Sequence, residues 1–208
     1  MTRILYLHGF ASGPTSSKAR FFGERLASAG ARFEIPDLAA GDFEHLTITG
    51  QLAAIERAAG GEPVSLIGSS MGGYLAALYA QRHPEIARVV LLAPAFGITR
   101  LWKHRIGEQA IEHWRRAGFM EVFHYGENRR CRLAFDLFAD AGRYENYPAF
   151  HQPALIYHGA HDDVVPARFS EEFAAANPNA TLELLDSGHD LLNVLEYLTQ
   201  KITSFLLP

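Results

Sequence analysis

The sequence predicts an α/β fold in which a doubly wound, mostly parallel sheet is covered by helices on both faces. Three observations predict this fold. Short apolar runs alternate with longer amphipathic segments, the runs are apolar on both faces, and polar clusters follow the ends of four of them. Strands that are buried on both faces and joined by helices are typical of parallel sheets, and right-handed crossovers give the doubly wound arrangement.

Six apolar runs are the predicted strands, and five amphipathic segments are the predicted helices. In chain order, the strands are expected at residues 4–9, 32–36, 64–68, 88–94, 153–159 and 180–186. The helices are expected at residues 17–29, 47–59, 71–82, about 166–176, and 191–206. The first helix has its apolar side chains near one face and Gly30 as a C-cap, Gly60 and Gly61 close the second, and Pro84 ends the third.

Residues 96–152 break this alternation. Residues 108–117 look helical and carry Trp114, and residues 120–125 and 130–138 are strand-like runs on either side of a Gly-Glu-Asn turn, which predicts a hairpin. We interpret about residues 97–152 as an insertion that packs over the functional edge of the sheet as a small cap. An ordinary structural elaboration is the alternative.

The size and composition of the chain indicate one globular domain. Its 208 residues are enough for a single domain with a sizeable core, so we treat residues 1–208 as one domain. The chain is 48% hydrophobic and 20% charged, which is not the composition of a disordered protein. Its formal net charge is −4, and its acidic and basic residues are interspersed, so nucleic acid is not an expected partner.

The expected location is the cytoplasm. Cys131 is the only cysteine, so no internal disulfide can form, which fits a reducing compartment. The apolar run at residues 4–7 is too short for a signal peptide, and no stretch approaches the roughly 18 apolar residues of a membrane span. We therefore expect a cytoplasmic protein without a membrane span, and we leave a homodimer open.

Segment 68–73, GSSMGG, predicts a nucleophile elbow. It contains the pattern G-x-S-x-G between a predicted strand and a predicted helix, which is the context that this turn needs. Such a turn is strained, and glycines two residues before and after the nucleophile let the strand and the helix approach. Gly68 and Gly72 frame Ser70, so Ser70 is the predicted nucleophile and Ser69 a structural hydroxyl. A phosphate-binding turn is the alternative, but the segment lacks G-x-G-x-x-G and the lysine of a P-loop.

A serine nucleophile needs a histidine base that a carboxylate orients, and the chain order expected for this fold is serine, acid, histidine. His189 follows the last predicted strand and is the predicted base, whereas His8 precedes the nucleophile and is interpreted as loop-shaping. Asp162 and Asp163 both follow the fifth strand. The spacing G-x-x-D-x-x-V-P favours Asp162 as the acid, and Asp163 is expected to cap the turn or the next helix.

Two backbone N–H groups are expected to stabilise the oxyanion of a tetrahedral intermediate. One belongs to Met71, directly after the nucleophile, and the other to Phe10 in the His-Gly-Phe segment after the first strand. A plain strand-ending turn is the alternative for that segment.

A metal site is a competing hypothesis. Potential ligands are dense at His158, His161, Asp162 and Asp163, as in a di-metal hydrolase. However, Gly159 turns the chain between them, and a metal site would leave the elbow unexplained. We therefore expect neither a metal nor a cofactor.

Together these motifs resemble the α/β-hydrolase superfamily. The segments ILYLHGF, GSSMGGY, HGAHDDVVP and SGHD carry the resemblance. LYLHGFASGPTSSKA and LIGSSMGGYLAALYA are similar to the small YqiA-like esterases, and HGAHDDVVP is similar to the mitochondrial depalmitoylating members. The resemblance is tight over about residues 4–80 and from residue 153 onward, and it is weaker in the insertion.

The resemblance implies an α/β-hydrolase fold without the usual leading hairpin, with strand order 2-1-3-4-5-6. It also implies hydrolysis of a small-molecule carboxylic ester or acyl thioester, without metal or cofactor, by Ser70, Asp162 and His189. An apolar acyl pocket is expected near Phe96, Leu101 and Trp102, with the core of the cap as the alternative. Two other functions stay open: the same triad acting on peptide or C–C bonds, and a binding module without catalysis.

Overall fold

A parallel sheet of six strands forms the centre of the protein. The structure, a computed structural model, describes residues 1–207. In chain order, the six strands of this sheet are β1 (Arg3–Leu7), β2 (Arg32–Glu34), β3 (Ser65–Ser69), β4 (Val89–Leu92), β7 (Ala154–Gly159) and β8 (Ala180–Leu185). Two further strands, β5 (Phe119–His124) and β6 (Arg129–Ala134), form a separate hairpin. The sheet has the order β2-β1-β3-β4-β7-β8, and every neighbouring pair is parallel. The predicted strand order is therefore confirmed, with β7 and β8 as the fifth and sixth predicted strands.

Helices cover both faces of this sheet. In chain order, they are α1 (Ser17–Ser28), α2 (Ile48–Ala59), α3 (Met71–Arg82), α4 (Ile98–Ile106), α5 (Glu108–Ala117), α6 (Asp136–Ala141), α7 (Arg168–Ala176) and α8 (Leu195–Leu206). The helices expected outside the insertion are present as α1, α2, α3, α7 and α8. Within residues 1–207, no helix combines the length and the apolar character that crossing a membrane requires.

Side chains of the strands alternate between two hydrophobic cores, as the pleat requires. On β1, Leu5 and Leu7 point into the core under α2 and α3, whereas Ile4 and Tyr6 point into the core under α1 and α8. All four are at most 1% exposed. Complete burial of each such apolar side chain stabilises the fold by about 1.5–3 kcal/mol, so this interior strand is firmly held.

The register of the strands brings their carboxyl ends to one edge of the sheet, which we call the C-terminal edge. Leu7 at the end of β1 pairs with Gly68 of β3, and Leu92 at the end of β4 lies between Ser69 of β3 and Tyr157 of β7. The loops that follow β1, β3, β7 and β8 therefore emerge side by side.

The insertion contains the predicted hairpin and more helix than the sequence suggested. Strands β5 and β6 pair in antiparallel fashion, and α5 matches the expected helix at residues 108–117. Helix α4 was not expected. Inside this unit, Trp114 is buried, donates its indole N–H to the carbonyl oxygen of Leu133 at 2.9 Å and stacks on Trp102 with ring centroids 5.1 Å apart.

The expected strand at residues 130–138 is wrong beyond Ala134, because the chain turns there into α6. Phe135 has helical dihedral angles, and its N–H donates to the carbonyl oxygen of Gly118 at 2.8 Å. Leu137 and Ala141 are then buried four residues apart, which is a helical spacing. Tertiary packing thus decides whether this short apolar run forms a strand or a helix, which periodicity alone does not determine.

The last helix also begins later than expected. Leu191 has φ of 56° and is completely buried, and a 3₁₀ turn at Leu192–Val194 precedes α8. A left-handed residue cannot start a regular α-helix, so the predicted start at residue 191 is wrong.

Candidate active site

Ser70 occupies a strained turn between β3 and α3. Its dihedral angles are φ 55° and ψ −119°, a conformation that costs a non-glycine residue about 1–3 kcal/mol. Backbone hydrogen bonds hold it there: its N–H donates to Leu92 at 2.9 Å, and its carbonyl oxygen accepts the N–H groups of Gly73 at 2.9 Å and Ala95 at 3.0 Å. The surrounding structure therefore fixes the strained conformation.

The two glycines that frame Ser70 are required by packing. A Cβ atom at Gly68 would lie 2.7 Å from Cα of Gly73, and one at Gly72 would lie 2.6 Å from the carbonyl oxygen of His8. Both clashes involve backbone atoms, which cannot move aside as a flexible side chain can. The spacing that distinguishes Ser70 from Ser69 in the sequence therefore has a direct steric cause.

Ser70, His189 and Asp162 form one line of hydrogen bonds. Nε2 of His189 lies 3.0 Å from Oγ of Ser70, and Nδ1 lies 2.7 Å from Oδ2 of Asp162. The side chain of His189 is 22% exposed, whereas that of Asp162 is fully buried. The structure thus brings together three residues that are far apart in the chain, each from a different loop of the C-terminal edge.

Four donors surround the Asp162 carboxylate. Oδ1 accepts the N–H groups of Val164 at 2.9 Å and Val165 at 2.8 Å, and Oδ2 lies 2.7 Å from Nδ1 of His189 and 3.0 Å from Nε2 of His158. Burial by itself raises the pKa of Asp162, but the hydrogen bonds from His158 and His189 outweigh it and hold that pKa well below its usual range. The carboxylate is therefore ionised at neutral pH.

The competing carboxylates lie elsewhere. Asp163 and Asp190 are both exposed, and Oδ1 of Asp190 accepts the N–H of Leu192 at 3.3 Å. Neither is hydrogen-bonded to His189 within residues 1–207.

The two N–H groups expected to bind the oxyanion belong to segments that lie next to Ser70. Met71 is the first residue of α3, and a Cβ atom at Gly9, next to Phe10, would lie 3.4 Å from Cβ of Ser70. Within residues 1–207 neither N–H donates to a protein acceptor. The N–H of Met71 also lies at the positive end of the α3 dipole, which favours a negative charge there.

His8 orients the peptide group that carries the Phe10 N–H. Its Nε2 accepts the N–H of Leu38 at 3.4 Å, so its proton lies on Nδ1, which donates to the carbonyl oxygen of Gly9 at 3.1 Å. Burial lowers the pKa of His8, which favours the neutral ring that this arrangement needs. The loop-shaping role predicted for His8 is consistent with these contacts.

Comparisons with known proteins identify the family. The profile of an uncharacterised protein family, UPF0227, matches residues 3–207. The chain belongs to UPF0227. None of the curated proteins matches this UPF0227 chain significantly.

Solved structures with the same fold cover nearly the whole UPF0227 chain. Alpha/beta hydrolase domain-containing protein 10 from mouse is 19% identical, with a TM-score of 0.82 over 98% of this chain and 89% of its own. The monoacylglycerol lipase of Paleococcus ferrophilus is 16% identical, with a TM-score of 0.79 over 98% of this chain and 93% of its own. Est1E from Butyrivibrio proteoclasticus, solved with ferulic acid bound, is 21% identical, with a TM-score of 0.76 over 100% of this chain and 88% of its own. These likenesses confirm the α/β-hydrolase fold.

Aromatic side chains surround Phe10 in this UPF0227 chain. The Phe10 ring packs against Phe43 and Trp102, with centroids 5.6 and 5.3 Å away. Trp102 is partly exposed, whereas Phe96 is completely buried and stacks on Phe173 at 4.5 Å. Leu101, at 8% exposure, also belongs to the core. Of the three residues expected at an acyl pocket, Trp102 is partly exposed and packs its ring on Phe10, whereas Phe96 and Leu101 belong to the core.

Sequence reasoning missed Phe43 and Lys18. Phe43 lies in the loop between β2 and α2, which carries no motif. Nζ of Lys18, near the start of α1, donates to Oγ of Ser69 at 3.1 Å. Burial lowers the pKa of Lys18 to about 8, against the opposing effect of Asp190 and Asp162. The sequence analysis predicted a structural role for the Ser69 hydroxyl, but it did not identify Lys18 as the partner of that hydroxyl.

The potential metal ligands of the fifth loop do not converge. His158 is buried beside Asp162, whereas His161 is exposed and pairs with Asp186 at 2.9 Å. In the part of the chain that the structure describes, no group of three or more histidine, cysteine, aspartate or glutamate side chains is arranged to hold a metal ion.

Proposed function

We propose that this member of UPF0227 is a serine hydrolase that cleaves carboxylic esters or acyl thioesters through an acyl-enzyme. The observation that carries the proposal is the line of hydrogen bonds from Ser70 through His189 to Asp162, with distances of 3.0 and 2.7 Å. The same three residue types on this fold form the catalytic triad of serine hydrolases.

In the first step, the Ser70 hydroxyl attacks the acyl carbon while Nε2 of His189 accepts its proton. Asp162 accepts the Nδ1–H of His189, which selects the tautomer with a free lone pair on Nε2 and stabilises the imidazolium that forms. Because Asp162 is buried and ionised, its negative charge acts on His189 with little screening by water.

The carbonyl oxygen of the substrate becomes an oxyanion in this step. The N–H groups of Phe10 and Met71 donate to it, and removal of one such donor typically costs about 2.7–4 kcal/mol of transition-state stabilisation. His8 contributes by holding the Gly9–Phe10 peptide group in one orientation. The alcohol or thiol then leaves with the proton from His189, and a water molecule repeats the sequence on the acyl-enzyme.

Apolar or aromatic acyl groups are the substrates that this site favours. Phe10, Phe43 and Trp102 form an aromatic surface next to the oxyanion donor of Phe10. The similar structures include a protein named a lipase and another that holds ferulic acid, an aromatic carboxylic acid. The choice between ester and thioester, the cytoplasmic location and a homodimer stay predictions.

A substrate series tests this function. We expect the wild-type protein to hydrolyse nitrophenyl esters or acyl thioesters and Ser70→Ala to lose at least about 10⁴-fold of that activity. Phe173→Leu serves as a control, because Phe173 is buried in the core on α7 and belongs to neither the triad nor the expected acyl pocket. If no ester or thioester is hydrolysed but a peptide is, the result would support peptide-bond hydrolysis by the same triad instead. Absence of any turnover would favour a binding module.

A further inference from the structure

The proposed mechanism uses only one of the two histidines that contact Asp162. The other is His158, the penultimate residue of β7, and it has no exposed surface. Its Nε2 lies 3.0 Å from Oδ2 of Asp162, the same oxygen that lies 2.7 Å from Nδ1 of His189. Two imidazole rings therefore meet on a single carboxylate oxygen.

The neighbours of the His158 ring determine where its proton lies. Its Nε2 is hydrogen-bonded to the carbonyl oxygen of Val165 at 2.9 Å, and Oδ2 of Asp162 lies 3.0 Å from the same nitrogen, so the single Nε2–H has two acceptors within reach. We therefore assign the proton to Nε2. Nδ1 then accepts the hydroxyl proton of Ser170 at 2.7 Å, and Ser170 is also completely buried. A ring that is engaged at both nitrogens and closed to solvent has no path to a substrate.

These contacts fix the turn that carries Asp162 from both sides. Oδ1 of Asp162 accepts two backbone N–H groups within the turn, from Val164 and Val165. His158 connects the end of β7 to Val165 on the far side of the turn and to Ser170 in α7. The carboxylate is therefore held by its own turn at Oδ1, and Oδ2 shares the Nε2–H of His158 with the carbonyl oxygen of Val165.

We propose that His158 is a positioning residue whose Nε2–H holds the Asp162 carboxylate in place and limits how strongly that carboxylate stabilises protonated His189. The inference rests on the proposed function, because it concerns the same triad. A donor on Oδ2 draws electron density from that oxygen and weakens its bond to Nδ1–H of His189. Without this donor, Oδ2 becomes more basic, and His189 holds its proton more tightly.

Other charged groups act on Asp162 and His189, and the test leaves these groups unchanged. Lys18 of α1 is a nearby cation whose charge is felt by Asp162, and Asp190 is the carboxylate next to His189 in the chain. Ser70 contacts the other nitrogen of His189. None of these residues contacts His158 through a hydrogen bond.

Two amide substitutions of similar polarity distinguish the role of Nε2 of His158 from that of Nδ1. His158→Gln can present an amide N–H near the position of Nε2, so it keeps a donor for Asp162. His158→Asn is one bond shorter, so its amide lies near the position of Nδ1, beside Ser170, and supplies no donor to Asp162. The test compares the pH dependence of kcat/KM for a nitrophenyl ester, and the downfield proton resonance of the His189 Nδ1–H, in both variants and the wild type.

We expect His158→Asn to move the acidic limb of the pH profile upward by about 0.5–1 pH unit and to lower kcat/KM at pH 6 by about 3–10-fold. The His189 Nδ1–H resonance should shift in the same variant. His158→Gln should keep both readouts close to those of the wild type. Phe173→Leu is the control for damaged packing, because Phe173 is buried in α7, the helix that carries Ser170, and stacks on Phe96.

A wild-type profile and resonance in His158→Asn would overturn the inference, as would an equal shift in Phe173→Leu or in both amide variants. If His158→Asn does not fold, Ser170→Ala combined with His158→Gln provides the second measurement. This double variant should keep the wild-type resonance if the donor to Asp162 is what matters, and a shifted resonance contradicts the inference. The resonance needs no turnover, so an inactive wild type would refute the proposed function and still leave this inference tested.

Discussion

The ammonium group of Lys18 lies 3.1 Å from the hydroxyl oxygen of Ser69, the residue that precedes the predicted nucleophile. The contact joins the first turn of α1 to the end of β3, across 51 residues of sequence. It explains why the elbow carries two adjacent serines: the second is the predicted nucleophile, and the first accepts a hydrogen bond from a half-buried lysine.

Burial of this lysine predicts a pH-dependent stability. The pKa of Lys18 falls from 10.5 to about 8 in the folded protein, so the folded state binds fewer protons than the unfolded state between these values. The cost of burying the charge is fully present below pH 8 and disappears as the pH rises towards 10.5. Lys18→Met should therefore gain stability relative to the wild type at pH 7, on the order of 3 kcal/mol before the lost hydrogen bond to Ser69 is subtracted.

Thermal unfolding of both proteins from pH 7 to 10 measures this difference. The stability of the wild type should rise relative to Lys18→Met over that range. A constant difference would show that the charge of Lys18 is not desolvated in the folded state.

The two adjacent aspartates after β7 should differ sharply in their effects. Asp162→Asn removes the carboxylate that lies 2.7 Å from Nδ1 of His189, and it should lower kcat by about 10³–10⁴-fold because the wrong tautomer becomes available. Asp163→Asn changes an exposed carboxylate and should keep kcat within about twofold. Steady-state kinetics of the purified variants test this pair, and loss of turnover only in Asp163→Asn would refute the assignment of the acid.

Glycine 72 should tolerate no side chain. Gly72→Ala would drive its Cβ into the backbone of Leu7 and His8, so we expect a loss of about 3 kcal/mol or more in the free energy of unfolding. Gly13→Ala is the matched control, because nothing lies within 4 Å of a Cβ at that position. Urea denaturation measures both, and equal stability of the two variants would contradict the steric account of the elbow.

Trp102 and Phe96 should separate substrate binding from core packing. Trp102→Ala removes a partly exposed ring that touches Phe10, and it should raise KM for aromatic or long acyl esters by about tenfold with little change for acetyl esters. Phe96→Ala removes a completely buried ring and should cost about 3–5 kcal/mol of stability instead. Kinetics across an acyl series and thermal unfolding distinguish the two. If KM rises only for Phe96→Ala, the acyl group binds elsewhere.

The sheet and the candidate triad could be predicted because their signals are local in the sequence. A buried parallel strand is a continuous apolar run, and the elbow needs glycines at fixed distances from its serine, as the backbone contacts of Gly68 and Gly72 explain. The order of serine, acid and histidine along the chain then follows the order of the strands. Placement of Ser70, Asp162 and His189 at one edge required no knowledge of side-chain packing.

Other features depend on contacts between distant residues, and the sequence does not encode them in a short pattern. The chain turns at Phe135 because its N–H reaches Gly118, which no periodicity indicates. The contact between Lys18 and Ser69 likewise joins residues that are 51 positions apart and that share no sequence motif. His158 drew attention in the sequence only as one of several clustered potential metal ligands. The structure shows instead that His158 lies beside Asp162, whereas His161 lies beside Asp186.

Covalent labelling by a fluorophosphonate probe, followed by peptide mapping, tests the central claim most directly. An activated serine displaces fluoride from the probe, whereas an ordinary hydroxyl does not. We predict one labelled site in the wild type, at Ser70, and no labelling in Ser70→Ala, with Ser69→Ala still labelled. An unlabelled wild type, or equal labelling of the wild type and Ser70→Ala, would contradict the claim that Ser70 is a catalytic nucleophile.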